Sequence, residues 1–299
     1  MEYTLVTVLI LTKLDRNEYE SQRLVESFAA KGITACMCHP DDFDIIVDRN
    51  IHGGIKYQGQ DMPLPRLVLV RLGAGILPFQ LAVVRHFEQA GVPCINSSLA
   101  IETVKDKLRT SQILSRNNIP IPNTMLVRWP IEDNLVTKNI GFPCVVKVVT
   151  GSYGEGVHLC ERKKDYKKLV EFVENLGNKK TMIVQEYLGD APGVDLRVLV
   201  IGGKVVGAMK RTAPEGDFRA NITNGGTGEN YAITDEVEYI ARETARALDL
   251  DIAGIDLLFD HRGFRVCEAN SNPGFKGFET YCAVDVADLI TEYIKFRIQ

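Results

Sequence analysis

No apolar run in this 299-residue chain approaches the roughly 18–20 residues a helix needs to cross a bilayer. The short apolar run at 5–11 has no basic segment before it and no small-residue cleavage site after it, so it reads as a first β-strand, not a signal peptide. No CxxC pair occurs, and the seven cysteines are odd in number and scattered. Cys36 and Cys38 stand two apart, too close for an ordinary strand disulfide. Reduced cysteines of a cytoplasmic protein are therefore expected. A charge excess is missing as well. A net charge of −4 and a pI near 5.8 leave no electrostatic footprint for nucleic acid or an anionic membrane. There are no repeats and no low-complexity segment. What remains is an ordinary soluble composition, long enough for two or three packed units.

The first part alternates strand and helix. Strands are predicted at 6–11, 33–38, 66–71 and 92–95, and helices at 18–31 and 78–90, the pattern of a small open sheet covered by helices. A polar helix is predicted over 99–117, followed by IPIPN, whose two prolines mark a boundary. From Pro143 the pattern becomes mostly hairpins. Strands are predicted at 182–187, 196–201 and 204–210, the last two joined by a Gly202-Gly203 turn. Charged helix 163–175, amphipathic helix 234–248 with Thr234 as N-cap, and closing helix 286–296 complete the reading.

The segment GIDLLFDHRGFRVCEANSNPGF, residues 254–275, carries the most chemical information. A glycine at position 263 suits a three-residue hairpin loop, in which Asp260 faces Phe264. That register sets Asp256 opposite Glu268, with Asn270 on the same face. Opposed carboxylates repel, and burial makes the repulsion worse. A divalent cation would remove the conflict, and an all-oxygen donor set suits Mg²⁺. The competing reading is a solvated edge, against which the flanking Ile255, Leu257, Leu258 and Val266 argue. A two-residue loop would shift the register by one and break the pairing.

Lys147 lies inside the apolar strand CVVKVV, where an ammonium needs an anion. TGSYGEGV follows, with Gly151, Gly154 and Gly156 able to turn backbone N–H groups toward phosphate. The loop lacks a GK[ST] ending and its lysine precedes it, which excludes a Walker A motif. The chain also lacks HRD and DFG, which excludes a protein kinase. RLGAGILPF lacks the third glycine of a dinucleotide fingerprint and reads as a rim loop or a plain turn. At IVQEYL, Glu186 could accept hydrogen bonds from a ribose or an amine, and the backbone of 185–188 could read an adenine edge. Lys210, Arg211, Arg219 and Asn221 form a basic cluster ahead of a polar, glycine-bearing stretch expected to be irregular. Arginines there and at Arg197 suit carboxylate or phosphate. In the plain hairpin register Asp195 faces Lys210.

In this order the sequence resembles the ATP-grasp superfamily, and within it the RimK-type ligases. The resemblance is carried by KDKLRT at 105–110, FPCVVKVVTGSYGEGV, IVQEYL, GVDLRVLVIGGKVVGAMKR, EGDFRANITNGG, GIDLLF and CEANSNPGF, and in the first third by LVLVRLGAG. It implies an ATP-grasp fold, α/β and α+β, with an N-terminal α/β pre-ATP-grasp domain at 1–97, a central subdomain at 98–187 and a C-terminal subdomain at 188–299. It implies ATP and Mg²⁺, or Mn²⁺, as cofactors. By resemblance, Lys107 and Lys147 contact phosphates with Gly151, Ser152, Gly154 and Gly156. Gln185, Glu186, Tyr187, Leu188 and Asp195 line the adenosine site, and Arg219 and Asn221 also meet the nucleotide. Asp256, Glu268 and Asn270 match magnesium ligands. Arg211 would hold an acyl phosphate or the carboxylate substrate, with Arg71, Arg197 and Asn272 as further substrate contacts.

The implied reaction transfers the γ-phosphoryl group to a carboxylate, which an amine then attacks. The partners are a small-molecule or protein-tail carboxylate and an amino acid, with glutamate favoured. No nucleic acid or membrane is implied, and the family suggests a dimer or tetramer. A carrier-protein ligase of lysine or arginine biosynthesis, or a nucleotide-binding module without turnover, is the alternative.

Overall fold

The computed structural model describes residues 6–49, 54–73, 75–128, 133–148, 156–175, 182–218, 220 and 225–299. The apolar run at its start forms β1 (Val8–Thr12), buried along its whole length as a central parallel strand should be. Helix α1 (Tyr19–Ala30) turns back to β2 (Ala35–Cys38). A side sheet not foreseen from the sequence follows, made of β3 (Phe43–Ile45), β4 (Ile55–Tyr57) and β5 (Gln60–Asp61). Then come β6 (Leu67–Arg71), α2 (Pro78–Gln89) and β7 (Cys94–Ile95). The parallel order β2-β1-β6-β7 brings Thr12, Cys38 and Arg71 to the same strand-end edge, the carboxyl edge where open α/β sheets bind ligands.

The single helix predicted over 99–117 is two helices, α3 (Ser98–Lys105) and α4 (Lys107–Arg116). Asp106 divides them. Its backbone is extended (φ −92°, ψ 100°) and its carboxylate accepts from the N–H groups of Leu108 and Arg109. An acid at this N-cap satisfies donors the helix start leaves open. The break makes Lys107 the first residue of α4. These helices bury Ala100, Val104 and Leu114 against the last sheet of the chain rather than against the central one.

The central sheet has the order β10-β9-β11-β8, all antiparallel. Its strands are β8 (Thr124–Val127), β9 (Cys144–Val148), β10 (Val157–Cys160) and β11 (Met182–Glu186), covered by α5 (Asp133–Asn139) and α6 (Lys163–Asn175). Strand β8 and helix α5 were not legible in the sequence.

The last sheet has the order β14-β13-β12-β15-β16. Strands β12 (Val194–Ile201) and β13 (Lys204–Thr212) meet at Gly202-Gly203, both at positive φ, as the sequence suggests. The stretch expected to be irregular contains β14 (Thr227–Asn230), which pairs along β13. Helix α7 (Asp235–Ala247) is capped by the Thr234 hydroxyl as expected. Strands β15 (Ile252–Asp260) and β16 (Gly263–Asn270) follow, then α8 (Lys276–Tyr281) and α9 (Val286–Arg297).

Both hairpins carry a register shift that no local sequence rule announces. In the first, Leu199 pairs with Gly207 but Val200 with Val205, so Val206 is an extra residue. The predicted Asp195–Lys210 pairing is therefore corrected to Asp195 opposite Arg211. In the second, Asp260 pairs with Gly263, so the predicted three-residue loop is a two-residue turn. That turn alone would have set Asp256 opposite Cys267. A bulge at Cys267 restores the lost step, and Asp256 does face Glu268.

Alternation along β12 divides the sheet. Leu196, Val198 and Val200 enter one core with α4 and α7. Leu199 and Ile201 enter the other, which also holds Val8 and Ile10 of the first sheet and Ile290 and Ile294 of α9. Asp195 and Arg197 share the face of Leu199 and Ile201 but lie at its far end, where apolar packing gives way to charge.

Candidate active site

A cleft opens between the central and last sheets. It is lined by Lys107, Thr110 and Ser111 of α4, Thr124, Lys147 and Gln185 of the central sheet, and Cys267 and Glu268 of β16. Lys147 enters from the middle of β9. Its Nζ donates to Gln185 Oε1 at 2.7 Å and lies 3.9 Å from Cys267 Sγ. Gln185, whose backbone is expected to read an adenine edge, also holds Lys147 through its side chain, which is fixed in turn on Thr124 Oγ1 at 3.0 Å. Lys107 reaches across from α4 to Glu268 Oε1 at 2.7 Å. Burial works to lower its pKa, but the Glu268 charge outweighs that and the net shift is upward. The two lysines singled out for phosphates therefore converge on one cleft.

The acids on the last sheet are held by arginines. Arg197 grips Asp256 with two parallel bonds, Nε to Oδ1 at 2.7 Å and Nη2 to Oδ2 at 2.6 Å. Arg211 grips Asp195 in the same way, at 2.7 and 2.6 Å, and also lies 3.1 Å from Asp256 Oδ2. Such forks fix geometry as well as charge. Burial would raise the Asp256 pKa, but the two guanidiniums overcome it and hold the carboxyl at about 2. Asp195 goes the other way. Burial and the neighbouring Asp256 charge push it up to about 6 against the pull of Arg211.

This arrangement revises the reason the two opposed acids coexist. In the structure Arg197, Arg211 and Lys107 neutralise them, so a metal is not required for that purpose. The donor set nonetheless fits a hard cation. Asp256 and Glu268 face each other, Asn270 Nδ2 donates to Asp256 Oδ2 at 3.5 Å, and each of the three side chains carries an oxygen a cation could use. Among the described residues Glu268 is held by Lys107 in a partly exposed pair, 33% and 39% accessible, which a cation can displace. Among the described residues, the group of three His, Cys or acidic side chains close enough to share an ion lies elsewhere, at Asp190, Asp260 and His261 on the hairpin tip. There Asp260 is already paired with Arg265, and the Asp190 carboxylate takes the backbone N–H of His261.

The remaining expectations divide. Glu186 lies at the cleft edge, where Oε2 accepts from the Asn123 N–H and from Arg265, both at 3.1 Å. Tyr187 and Leu188 are half-buried just past β11. Gly156 has φ +77°, a conformation glycine adopts freely, as it leads into β10. Gly151, Ser152, Gly154, Arg219 and Asn221 lie outside the described residues. Asp195, expected at the adenosine, holds Arg211 through both oxygens, with its side chain 13% exposed. Arg71, expected as a substrate contact, has a side chain 4% exposed and bound to Glu20. Asn272 Oδ1 is buried without a hydrogen-bond partner among the described residues, an acceptor still waiting for a donor. Sequence reasoning missed Glu20 and Asn96, whose partners lie 51 to 256 and 155 to 175 positions away, and no local signal could have found them.

Comparison with known proteins shows the family. Residues 104–294 match the family model described as the RimK-like ATP-grasp domain, and residues 6–101 match the RimK pre-ATP-grasp domain. A probable alpha-L-glutamate ligase of Vibrio atlanticus is 39% identical over 285 residues, 94% of each chain. One of Methanococcoides burtonii is 38% identical over 289 residues, covering 96% of this chain and 95% of its own. Among solved structures, the ATP-grasp ligase PsnB complexed with a phosphomimetic precursor variant, Mg and ADP superposes with a TM-score of 0.77 at 21% identity, over 99% of this chain and 100% of that one. A RimK domain ATP-grasp protein of Sphaerobacter thermophilus gives 0.73 at 21% identity, over 96% and 98%.

Proposed function

The chain belongs to the RimK-like ATP-grasp family and is an ATP-grasp ligase, and on that footing we propose that it joins the amino group of glutamate to a carboxylate acceptor. The observation that carries the reading is one row of charge across neighbouring strands, Arg211 and Asp195, then Arg197, Asp256 and Glu268, whose last member lines a cleft with Lys107 and Lys147. The relatives named as glutamate ligases at 38–39% identity support glutamate as the amine.

In this reading Lys147 and Lys107 bind the polyphosphate of ATP, and Lys107 leaves Glu268 to do so. Asp256, Glu268 and Asn270 would hold Mg²⁺, which when bound neutralises phosphate oxygens during transfer. The acceptor carboxylate oxygen attacks the γ-phosphorus and ADP departs. The glutamate nitrogen then attacks the acyl carbon, the C–O bond to phosphate breaks, and the amide forms as inorganic phosphate leaves. Arg211 and Arg197 sit where anionic charge builds. A guanidinium carries five N–H donors, and the bonds described use three of those on Arg211. The others suit the acyl phosphate. Such fixed donors act without reorganising during the reaction. Asn272 Oδ1 is suited to accept from the incoming ammonium. The seven free cysteines fit action in the cytoplasm.

The test is ADP release by purified protein with ATP, Mg²⁺, glutamate and a panel of small acids and glutamate-ended peptides, with products weighed by mass spectrometry. ADP formation that needs both glutamate and one acceptor, with a product heavier by one glutamyl residue, is expected. AMP in place of ADP, or normal ATP binding with no turnover on any pair, would overturn the assignment.

A further inference from the structure

Strand β16 ends at Asn270, so two of the three proposed metal ligands sit within two residues of the place where the ladder stops holding them. What holds the chain beyond that point comes from the first domain. Asn96 Nδ2 donates to Ser271 O at 2.7 Å. Arg71 Nη2 donates to Pro273 O at 3.0 Å, and its guanidinium lies 5.5 Å from the centre of the Phe275 ring. Glu20 Oε1 accepts from Phe275 N at 2.6 Å, while its Oε2 takes Arg71 Nη2 at 2.8 Å.

The same Asn96 amide also holds the start of the partner strand. Its Nδ2 donates to Ile252 O at 2.7 Å, and its Oδ1 accepts from Asp251 N and Ile252 N at 2.7 and 3.0 Å. One buried side chain therefore ties the entry of β15 to the exit of β16. The loop it holds lies flat on β15. A Cβ added at Gly254 would stand 2.8 Å from Pro273 Cβ and 3.8 Å from Arg197 Nε. The loop therefore packs on β15 beside Arg197, which grips Asp256.

We propose that Glu20, Arg71 and Asn96 are positioning residues through which the N-terminal domain sets the geometry of the acidic hairpin and so its affinity for a divalent cation. None of them needs to touch substrate to do so. The proposal rests on the metal reading of Asp256, Glu268 and Asn270. Partners bonded directly to metal ligands characteristically change metal affinity by about 10–100-fold when removed; these three hold the backbone at Ser271, Pro273 and Phe275 instead, so the low end of that range applies.

The experiment is Mn²⁺ binding followed by electron paramagnetic resonance in the presence of ADP, for wild type, Arg71→Met, Arg71→Lys and Glu20→Gln. Binding of ADP without metal and hydrogen exchange at the amides of 271–276 are measured on the same samples. Arg71→Met is expected to weaken Mn²⁺ about tenfold, to leave metal-free ADP binding within about twofold, and to quicken exchange in the loop. Arg71→Lys is expected to recover part of the affinity, and Glu20→Gln to repeat the loss should Arg71→Met fold poorly. Unchanged Mn²⁺ affinity in folded Arg71→Met and Glu20→Gln would overturn the proposal. Wild-type protein that binds no Mn²⁺ would instead bring down the metal reading on which it rests.

Discussion

Glu268→Gln is expected to lower kcat for ADP release by about 10³-fold while leaving the folded protein nearly as stable as wild type. The loss follows from removing a charged oxygen where a cation must meet phosphate, an interaction worth several kcal/mol of transition-state stabilisation. The small effect on stability follows from the structure. The partner of Glu268 is Lys107, and the pair is about one-third exposed on each side. Pairs of that kind contribute roughly 0.2–1 kcal/mol, which for a chain of this size shifts the melting temperature by no more than about 4 °C. Steady-state kinetics beside a thermal melt checks both halves. A variant that keeps wild-type turnover would remove Glu268 from the chemistry.

Asp256→Asn is expected to remove turnover to a similar degree and, unlike its opposite number, to damage the fold. Asp256 is buried and receives Arg197 through both oxygens, with Arg211 adjoining. Without its charge Arg197, whose side chain is 20% exposed, is left without a partner among the described residues, because Arg211 still has Asp195 but Arg197 has no second described acid. Removing one partner of a buried pair costs about 3–5 kcal/mol, or on the order of 10 °C in melting temperature. The sign with pH agrees. The folded-state pKa is depressed from 3.8 to about 2, so the stabilisation is present above the unfolded value and is lost as pH falls through the folded one. At neutral pH it is present in full. Two acids facing each other across one pair of strands should thus respond alike in catalysis and differently in stability.

How far the sequence revealed this site is best seen in the two hairpins. The glycine pair at 202–203 and the alternation along β12 and β15 were legible, because turn chemistry and period-two patterning are local properties. The bulges were not. An extra residue at Val206 moves the partner of Asp195 from Lys210 to Arg211. An extra residue at Cys267 compensates for a shorter turn than predicted, so the Asp256–Glu268 pairing holds for a different reason than the one first given. Bulges depend on strand twist and neighbouring packing, which a single segment does not specify. The metal argument from repulsion was likewise incomplete, because it could not see Arg197, Arg211 and Lys107 arriving from other elements. Long-range partners such as Glu20 with Phe275, 255 positions apart, have no local signature at all. By contrast, the resemblance in the motifs from Lys105 to Phe275 survived, because it carries the tertiary arrangement with it.

The measurement that bears most directly on the central claim is the fate of oxygen from the acceptor. An acceptor that supports ADP release is prepared with ¹⁸O in its carboxylate, and turnover is run with glutamate, ATP and Mg²⁺. Activation through an acyl phosphate at this charged row should carry one labelled oxygen into inorganic phosphate for each amide formed. Phosphate without label, or label appearing in AMP, would contradict it.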